Sequence, residues 1–297
     1  MSASQLSPAR VKRPEFSPKR RKISKWFFSL VMLGVIGVVF LAPFMWVISS
    51  GFKSQEDIFA GLVPFSWTAF LPLNPTLDNF IELFVEKGVG RSLLNSFAVA
   101  TIEVVGALAV CSLAAYALTR MDWKGRGAVF GLILVTFMLP VEAMFVPLYR
   151  VISGMGLDDN LWGVALPGVA SVFGLFLLKQ AFEDIPRELD EAARIDGAGH
   201  FRIFFSIIIP NVKTALATLV LVKFLFSWNM FLWPLVALQS PQLKLIQVAV
   251  AHEVDPNSLP NWGLTFAGAA VAVVPVLLVF LLLQRHFVKG LATTGLK

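Results

Sequence analysis

Three ionisable residues stand inside otherwise apolar runs of this chain: Glu103, Glu142 and Lys223. Such groups are costly in hydrocarbon and are retained where they meet a ligand, pair with each other or relay protons. Lys223 sits a few residues before Trp228-Asn229, which brings a cation, an aromatic face and an amide into one helical stretch. A hydroxyl-rich ligand suits that set, because aromatic faces stack on C–H surfaces while an amide hydrogen-bonds hydroxyls. Two readings of Lys223 stay open: a contact to a ligand hydroxyl or phosphate, or an interhelical ion pair with Glu103 or Glu142 that only supports packing. Trp228 and Asn229 read equally as lining or as packing residues. Glu142 lies between Pro140 and Pro147.

Catalytic chemistry finds no foothold. His200, His252 and His286 are dispersed, Cys111 is the single cysteine, and no Gly-rich phosphate loop, metal-ligand spacing or serine nucleophile elbow occurs. Cys111 lies in an apolar run and reads as a packed thiol.

The charged island Glu191 to Pro210 is different in kind. Pro186 suits the first turn of a helix, and the Glu188, Asp190 and Glu191 carboxylates lie near its positive end. Leu189, Ala192, Ala193 and Asp196 then form a narrow face of mostly small side chains, while Arg187 with Glu191 and Asp190 with Arg194 have i,i+4 spacing. Gly197 and Gly199 supply the backbone freedom that ends a helix, and Phe201, Phe204, Phe205 and Ile208 begin a second helical pattern. Helix, turn, helix is the expectation. By composition alone the segment reads as an amphipathic connector on a membrane surface.

The elements that position these residues follow from hydropathy. Of 297 residues, 57% are apolar and 15% charged, and mean hydropathy is +0.74, which places the chain among integral membrane proteins. Spans are expected at about 26–49, 92–119, 127–148, 160–182, 211–235 and 263–284, each near the ~20 residues a bilayer requires. Lys and Arg outnumber Asp and Glu by 25 to 19, but about a third of the cations crowd the first 25 positions, directly before an apolar run. That placement favours a cytoplasmic membrane flank over nucleic-acid binding, and residues 1–25 are expected to be disordered against anionic lipid. The first run is too long for a signal-peptide core and is expected to be retained. Residues 51–91 form an external loop. Arg120, Lys124 and Arg126, then Arg187, Arg194 and Arg202, then Arg285, Lys289 and Lys297 mark alternate loops as cytoplasmic, with both termini inside. Domain boundaries follow: a basic tail 1–25, a six-span domain 26–286 that includes the loop 186–210, and a cytoplasmic tail 287–297. No internal repeat is evident, and single prolines (Pro43, Pro140, Pro147, Pro167, Pro275) are expected to kink spans.

Glu191-Ala192-Ala193, Asp196-Gly197-Ala198 and the closing Ile209-Pro210, between the fourth and fifth of six spans, resemble the EAA loop of ABC importer permeases. Ile185 to Leu189, Pro147-Leu148-Tyr149, Asn95-Ser96, Ala115-Tyr116-Ala117-Leu118, Trp228-Asn229 with Phe231 and Pro234, and the tail from Phe287 are similar to the carbohydrate-type branch, the maltose and glycerol-3-phosphate importer permeases. Departures are mild at Ile209, where that branch has Leu. They are more informative at Glu142, where it often has a neutral polar residue, and at Met230, where an acidic residue is common.

The resemblance implies an all-α integral membrane protein of the type I ABC importer permease fold, with six transmembrane helices and a cytoplasmic coupling helix. It implies that Glu191 makes a polar contact to an ATPase, that Ala192 and Ala193 form the close-packed face, that Asp196 belongs to the same loop, and that Gly197 makes the turn. It places Lys223, Trp228, Asn229 and Glu142 along a substrate path. The implied partners are a second homologous permease, two cytoplasmic ATPase subunits that hold ATP and Mg, an extracytoplasmic binding protein, a sugar or polyol, and the bacterial inner membrane. No cofactor is expected in this chain. A glycerol-3-phosphate or glycerophosphodiester permease is the nearest alternative, and a proton-coupled carrier using Glu103, Glu142 and Lys223 as a relay is the alternative from another class.

Overall fold

The computed structural model describes residues 18–60, 62, 66–252 and 261–294, and the regular structure among them is helical. Helix α1 (Pro18–Gly51) and helix α12 (Trp262–Thr294) are the long terminal elements, and α2 (Val89–Arg120) is the long central one. Between them lie α3 (Arg126–Thr136), α4 (Val141–Gly154), α5 (Leu161–Ala165), α6 (Val172–Glu183), α7 (Glu188–Ile195), α8 (His200–Asn211), α9 (Lys213–Trp228), α10 (Leu232–Ala237) and α11 (Ile246–His252). Four helical stretches are long and apolar enough to cross a membrane alone, and six if each of two bent pairs counts as one span.

The core forms around α2. Its inward face runs Ser96, Val99, Ala100, Glu103, Ala107, Cys111, Ala115 at helical spacing, and these side chains are mostly small. Without a hydrophobic force between helices in lipid, small residues allow the close contact from which dispersion energy comes. Accordingly α6 and α9 pack most extensively against α2, and Leu178, Phe182, Ile208 and Leu219 fill the space beside Ala107 and Ala115. Helix α1 packs along α12, with Trp46 edge-on to Phe266 at 5.0 Å. Its apolar stretch is otherwise exposed, Leu33 at 67% and Val38 at 68%.

Several expectations change here. The helix begins at Pro18 rather than near 26, because proline fits a first turn and the Lys and Arg that follow are good helix formers. Residues 1–17, with Arg10, Lys12 and Arg13, lie outside the described residues. The last helix continues past 287 to Thr294 with no proline to stop it, while Lys297 lies outside the described residues. Span 127–148 is not continuous: α3 and α4 meet at 97°, since Pro140 is extended (ψ 127°) and lacks an N–H. Pro167 likewise sits in a 3₁₀ turn, Leu166–Val169, that separates α5 from α6. Span 211–235 is shortened, with α9 ending at Trp228 before a break at Asn229 to Phe231. Of the prolines expected to kink spans, Pro140 and Pro167 do interrupt them, whereas Pro43 and Pro275 lie inside unbroken helices.

Outside the spans, the loop from Phe52 to Gly88 is fastened by Asn79, whose amide donates to the Gly51 and Lys53 carbonyls at 2.9 and 2.8 Å. Lys53, 2% exposed, donates to the Thr68 and Ala69 carbonyls, and burial lowers its pKa despite the nearby Asp57. At the same end of α2, Asn95 donates to the carbonyls of Gln242 and Lys244, and the Ser96 hydroxyl accepts from the Ile246 N–H.

Candidate functional site

Two regions gather the residues singled out above. The first is a cavity of about 960 Å³ between α4, α9, α10 and the Pro167 turn, and Glu142, Lys223 and Asn229 all line it. Phe145, Phe226, Phe231 and Met230 supply its apolar walls. Lys223 is not free within it. Its ammonium lies 2.7 Å from Glu103, whose side chain is fully buried, and the lysine side chain is itself only 12% exposed. Of the two readings of Lys223, the ion pair is the one the structure contains. Glu142 makes no ion pair among the described residues and stands on the cavity wall. Asn229 caps α9 and turns its amide N–H back to the Leu225 carbonyl at 2.9 Å while lining the cavity.

The glycine at 168 explains how Glu103 fits. A Cβ there would fall on the Glu103 carboxylate, so only glycine lets the 3₁₀ turn approach α2 this closely. Cavity wall, glycine turn and buried carboxylate are therefore one packing unit.

Trp228 belongs elsewhere. It is 1% exposed, its indole N–H donates to the Ala272 carbonyl at 2.9 Å, and it stacks on Phe224 and meets Phe97. It is a core residue joining α9 to α12, and the expectation that it lines the path is corrected. Phe231, in the helix break, and Trp233, just beyond it, take the aromatic places on the cavity wall.

The second region is the charged island. Helix α7 begins at Glu188, so Pro186 precedes the cap instead of occupying the first turn, while Glu188, Asp190 and Glu191 do lie at its N-terminal end. Its end is a Schellman motif: Ala198 N–H bonds to the Ala193 carbonyl at 2.9 Å and Gly197 N–H to the Arg194 carbonyl at 3.0 Å, with Gly197 at φ 81°. The expected second helix follows as α8, interrupted by a π-turn at Phe204–Ile208, and joins α9 at a 79° bend.

The expected small-residue face is divided. Glu191, Ala192, Asp196 and Gly197 are exposed, but Ala193 is half-buried and packs, with Ala198, on the chain's own core. Ile195 is 87% exposed and Phe201 75%, so the outward surface is more apolar than Ala192 alone suggests.

Helix α7 is held to the spans by residues whose roles sequence reasoning missed. Asp190 pairs with Arg120 at 3.2 Å, with both side chains almost wholly buried, and not with Arg194. The Arg120 guanidinium also donates to the Phe182 and Ile185 carbonyls at 2.6 and 2.7 Å. Arg187 donates to the Thr119 carbonyl instead of pairing with Glu191, and Tyr116 meets His200 through Oη and Nδ1 at 3.1 Å. A lone arginine at the last position of a long apolar run was the available signal. Reading it as an orientation mark alone hid its structural use.

Residues 107–293 match the family model described as binding-protein-dependent transport system inner membrane component. An arabinooligosaccharides transport system permease protein of Halalkalibacterium halodurans is 32% identical over 94% of this chain and 99% of its own. An sn-glycerol-3-phosphate transport system permease protein of Rhizobium meliloti is 36% identical over 93% and 99%. A bacterial ABC transporter involved in import of the acidic polysaccharide alginate has a chain that shares the fold, with a TM-score of 0.78 and 24% identity over 93% of this chain and 100% of that one.

Proposed function

The chain belongs to the binding-protein-dependent transport system inner membrane component family, and from that membership we propose that it forms half of an ATP-driven import path for a sugar or polyol. It is a multi-pass membrane permease, and the proton-coupled reading gives way to that family. The proposal extends to a second homologous permease, two cytoplasmic ATPase subunits that bind ATP and Mg, an extracytoplasmic binding protein, and both termini in the cytoplasm.

One observation supports coupling above the rest: α7 is clamped to α2 through Asp190 and Arg120 while Glu191, Ala192 and Ile195 remain exposed. A helix fixed on one face and open on the other can receive a push and pass it on. Glu191 would meet the ATPase as the polar contact, with Ala192 permitting close approach and Gly197 with Asp196 setting the turn. ATPase closure would then draw the loops together and open the path toward the loaded binding protein.

The cavity supports a neutral hydroxyl-rich substrate over a phosphate ester. Its cation is already paired with Glu103, Glu142 adds negative charge, and aromatic walls with the Asn229 amide suit C–H faces and hydroxyls. The glycerol-3-phosphate relatives keep the second reading in play. Uptake by the reconstituted complex separates the two when Glu103→Gln and Lys223→Gln are combined, so that neither charge is left unpaired. Retained sugar uptake supports the first reading; loss of uptake restricted to a phosphate ester would replace it with the second. Mild detergent extraction that yields no ATPase and no second permease would sink the assembly itself.

A further inference from the structure

A second cleft, about 220 Å³, lies where α2 and α6 end and α3 begins. Arg126, Lys179 and Arg187 line it against a single carboxylate, Glu183, and Leu118 and Phe130 form an apolar part of the wall. It is separate from the α4–α9 cavity and borders the α7 clamp through Arg187 and Thr119. The three cations come from three different segments, so the fold, and not a local run of sequence, brings them together.

Lys179 is the unusual member. Its side chain is only 16% exposed, although lysine normally keeps its head in water. The ammonium is held in position by Glu183 at 2.6 Å and by the Phe130 ring, 4.8 Å from its centroid. Arg126 is similarly fixed by Asp122 and the Met121 carbonyl, and Arg187 by the Thr119 carbonyl. Each guanidinium makes these bonds with one nitrogen and keeps others to offer an anion. One turn back along α6 from Lys179, Phe176 is 45% exposed, which gives the cleft an apolar neighbour on its membrane side.

Cations at the ends of membrane-spanning helices beside exposed aromatic surface suit a phosphate whose ester carries hydrocarbon. We infer that this cleft binds the phosphodiester headgroup of an anionic phospholipid, with Lys179 as the central point charge, Arg126 and Arg187 as flanking donors, and the acyl chains passing toward Phe176. A soluble phosphate offers the same chemistry to the cations but makes no use of the apolar side.

The test is native mass spectrometry of the detergent-solubilised complex, titrated with phosphatidylglycerol, with phosphatidylcholine, or with inorganic phosphate. The wild-type complex is expected to prefer phosphatidylglycerol to phosphatidylcholine at least tenfold. Arg126→Gln with Lys179→Gln should erase that preference while phosphatidylcholine binding and the melting temperature stay unchanged. If the double variant melts early, Glu183→Gln serves instead. It removes the one carboxylate on the wall and should raise phosphatidylglycerol affinity severalfold. An unchanged preference in both variants overturns the site. Displacement of phosphatidylglycerol by an equal concentration of inorganic phosphate overturns the lipid assignment in favour of a soluble anion. Loss of the ATPase subunits from the double variant shows the cleft to be a protein contact and overturns it equally.

Discussion

Changing Asp190 to Asn removes one charge from a pair that is 3.2 Å apart, with side chains 2% and 5% exposed. The Arg120 guanidinium stays charged and buried, held by two backbone carbonyls but without its counter-ion. Breaking a buried pair by removing one partner costs about 3–5 kcal/mol, and the surviving carbonyl bonds argue for about 3, the low end of that range. The spans are secured by their own apolar packing, so the cost falls on the docking of α7 against α2. At 1.4 kcal/mol per tenfold, that is a loss of about two orders of magnitude in the ratio of docked to undocked loop. Hydrogen exchange reads this directly: amides of residues 188–198 should exchange about a hundredfold faster, with those of α2 unchanged. Uptake should fall while the ATPase subunits still hydrolyse ATP, because force reaches the loop and goes no further. Arg120→Met with Asp190→Leu removes both charges and should recover much of the protection, since apolar replacements of a buried pair are often neutral. The reasoning fails if Asp190→Asn alters exchange less than threefold, or if the double-mutant cycle gives a coupling energy below about 0.5 kcal/mol.

Gly197→Ala keeps the Schellman turn sterically possible at φ 81° but adds about 1–2 kcal/mol of left-handed backbone strain; ATP-driven uptake should drop severalfold, and Gly197→Pro should abolish it with all spans inserted, so a normally transporting proline variant refutes the turn's role. Gly168→Ala drives a methyl into the Glu103 carboxylate and should destabilise the permease by about 1–3 kcal/mol, seen as earlier melting in detergent; adding Gly168→Ala to a Glu103→Ala, Lys223→Leu background, where the ion pair is already gone and no charge is left unpaired, should cost much less, and an equal cost in both backgrounds contradicts the packing. At the turn before α5, Asp159 accepts hydrogen bonds from the Ser240 hydroxyl and N–H, and from the Gln239 N–H, which hold its carboxyl below the usual carboxylate range. A depressed pKa contributes stability above the unfolded value, about 3.9, that is lost as pH falls through the folded one. Exchange at residues 239–240 should therefore quicken only in acid, and should already be quick at pH 7 in Asp159→Asn; equal rates in the variant and the wild type would remove this clamp from consideration.

Hydropathy revealed where the chain enters lipid but not where it bends. A window average over 127–148 sees apolar side chains throughout, while the missing N–H of Pro140 decides that α3 and α4 part there. Residue type and resemblance, not hydropathy, placed Trp228 on the path: an aromatic face suits a ligand, but this residue ends α9 and its indole turns toward Ala272 on a helix 44 residues away in sequence. Local signals fared better. Gly197 was legible as a helix stop because the left-handed residue of a Schellman turn is a backbone requirement that sequence displays. The Glu103 and Lys223 charges were legible as a possible pair because few other partners exist inside the spans. Asp190 was misread because its i,i+4 neighbour Arg194 is always in view, whereas Arg120 becomes its neighbour only after α2 and α6 have packed.

Helix α2 grips something at each end. Near its start Asn95 holds the carbonyls of Gln242 and Lys244, and at its other end Arg120 holds α7. The two grips are separated by roughly 37 Å of helix at 1.5 Å per residue, and no proline interrupts it. At about 100° per residue they also return to nearly the same azimuth after almost seven turns. The helix thus has the form of a connecting rod with aligned end fittings: under the proposed transport cycle, a tilt imposed at one end would reach the other with its direction preserved, with no chain of intermediate rearrangements between them.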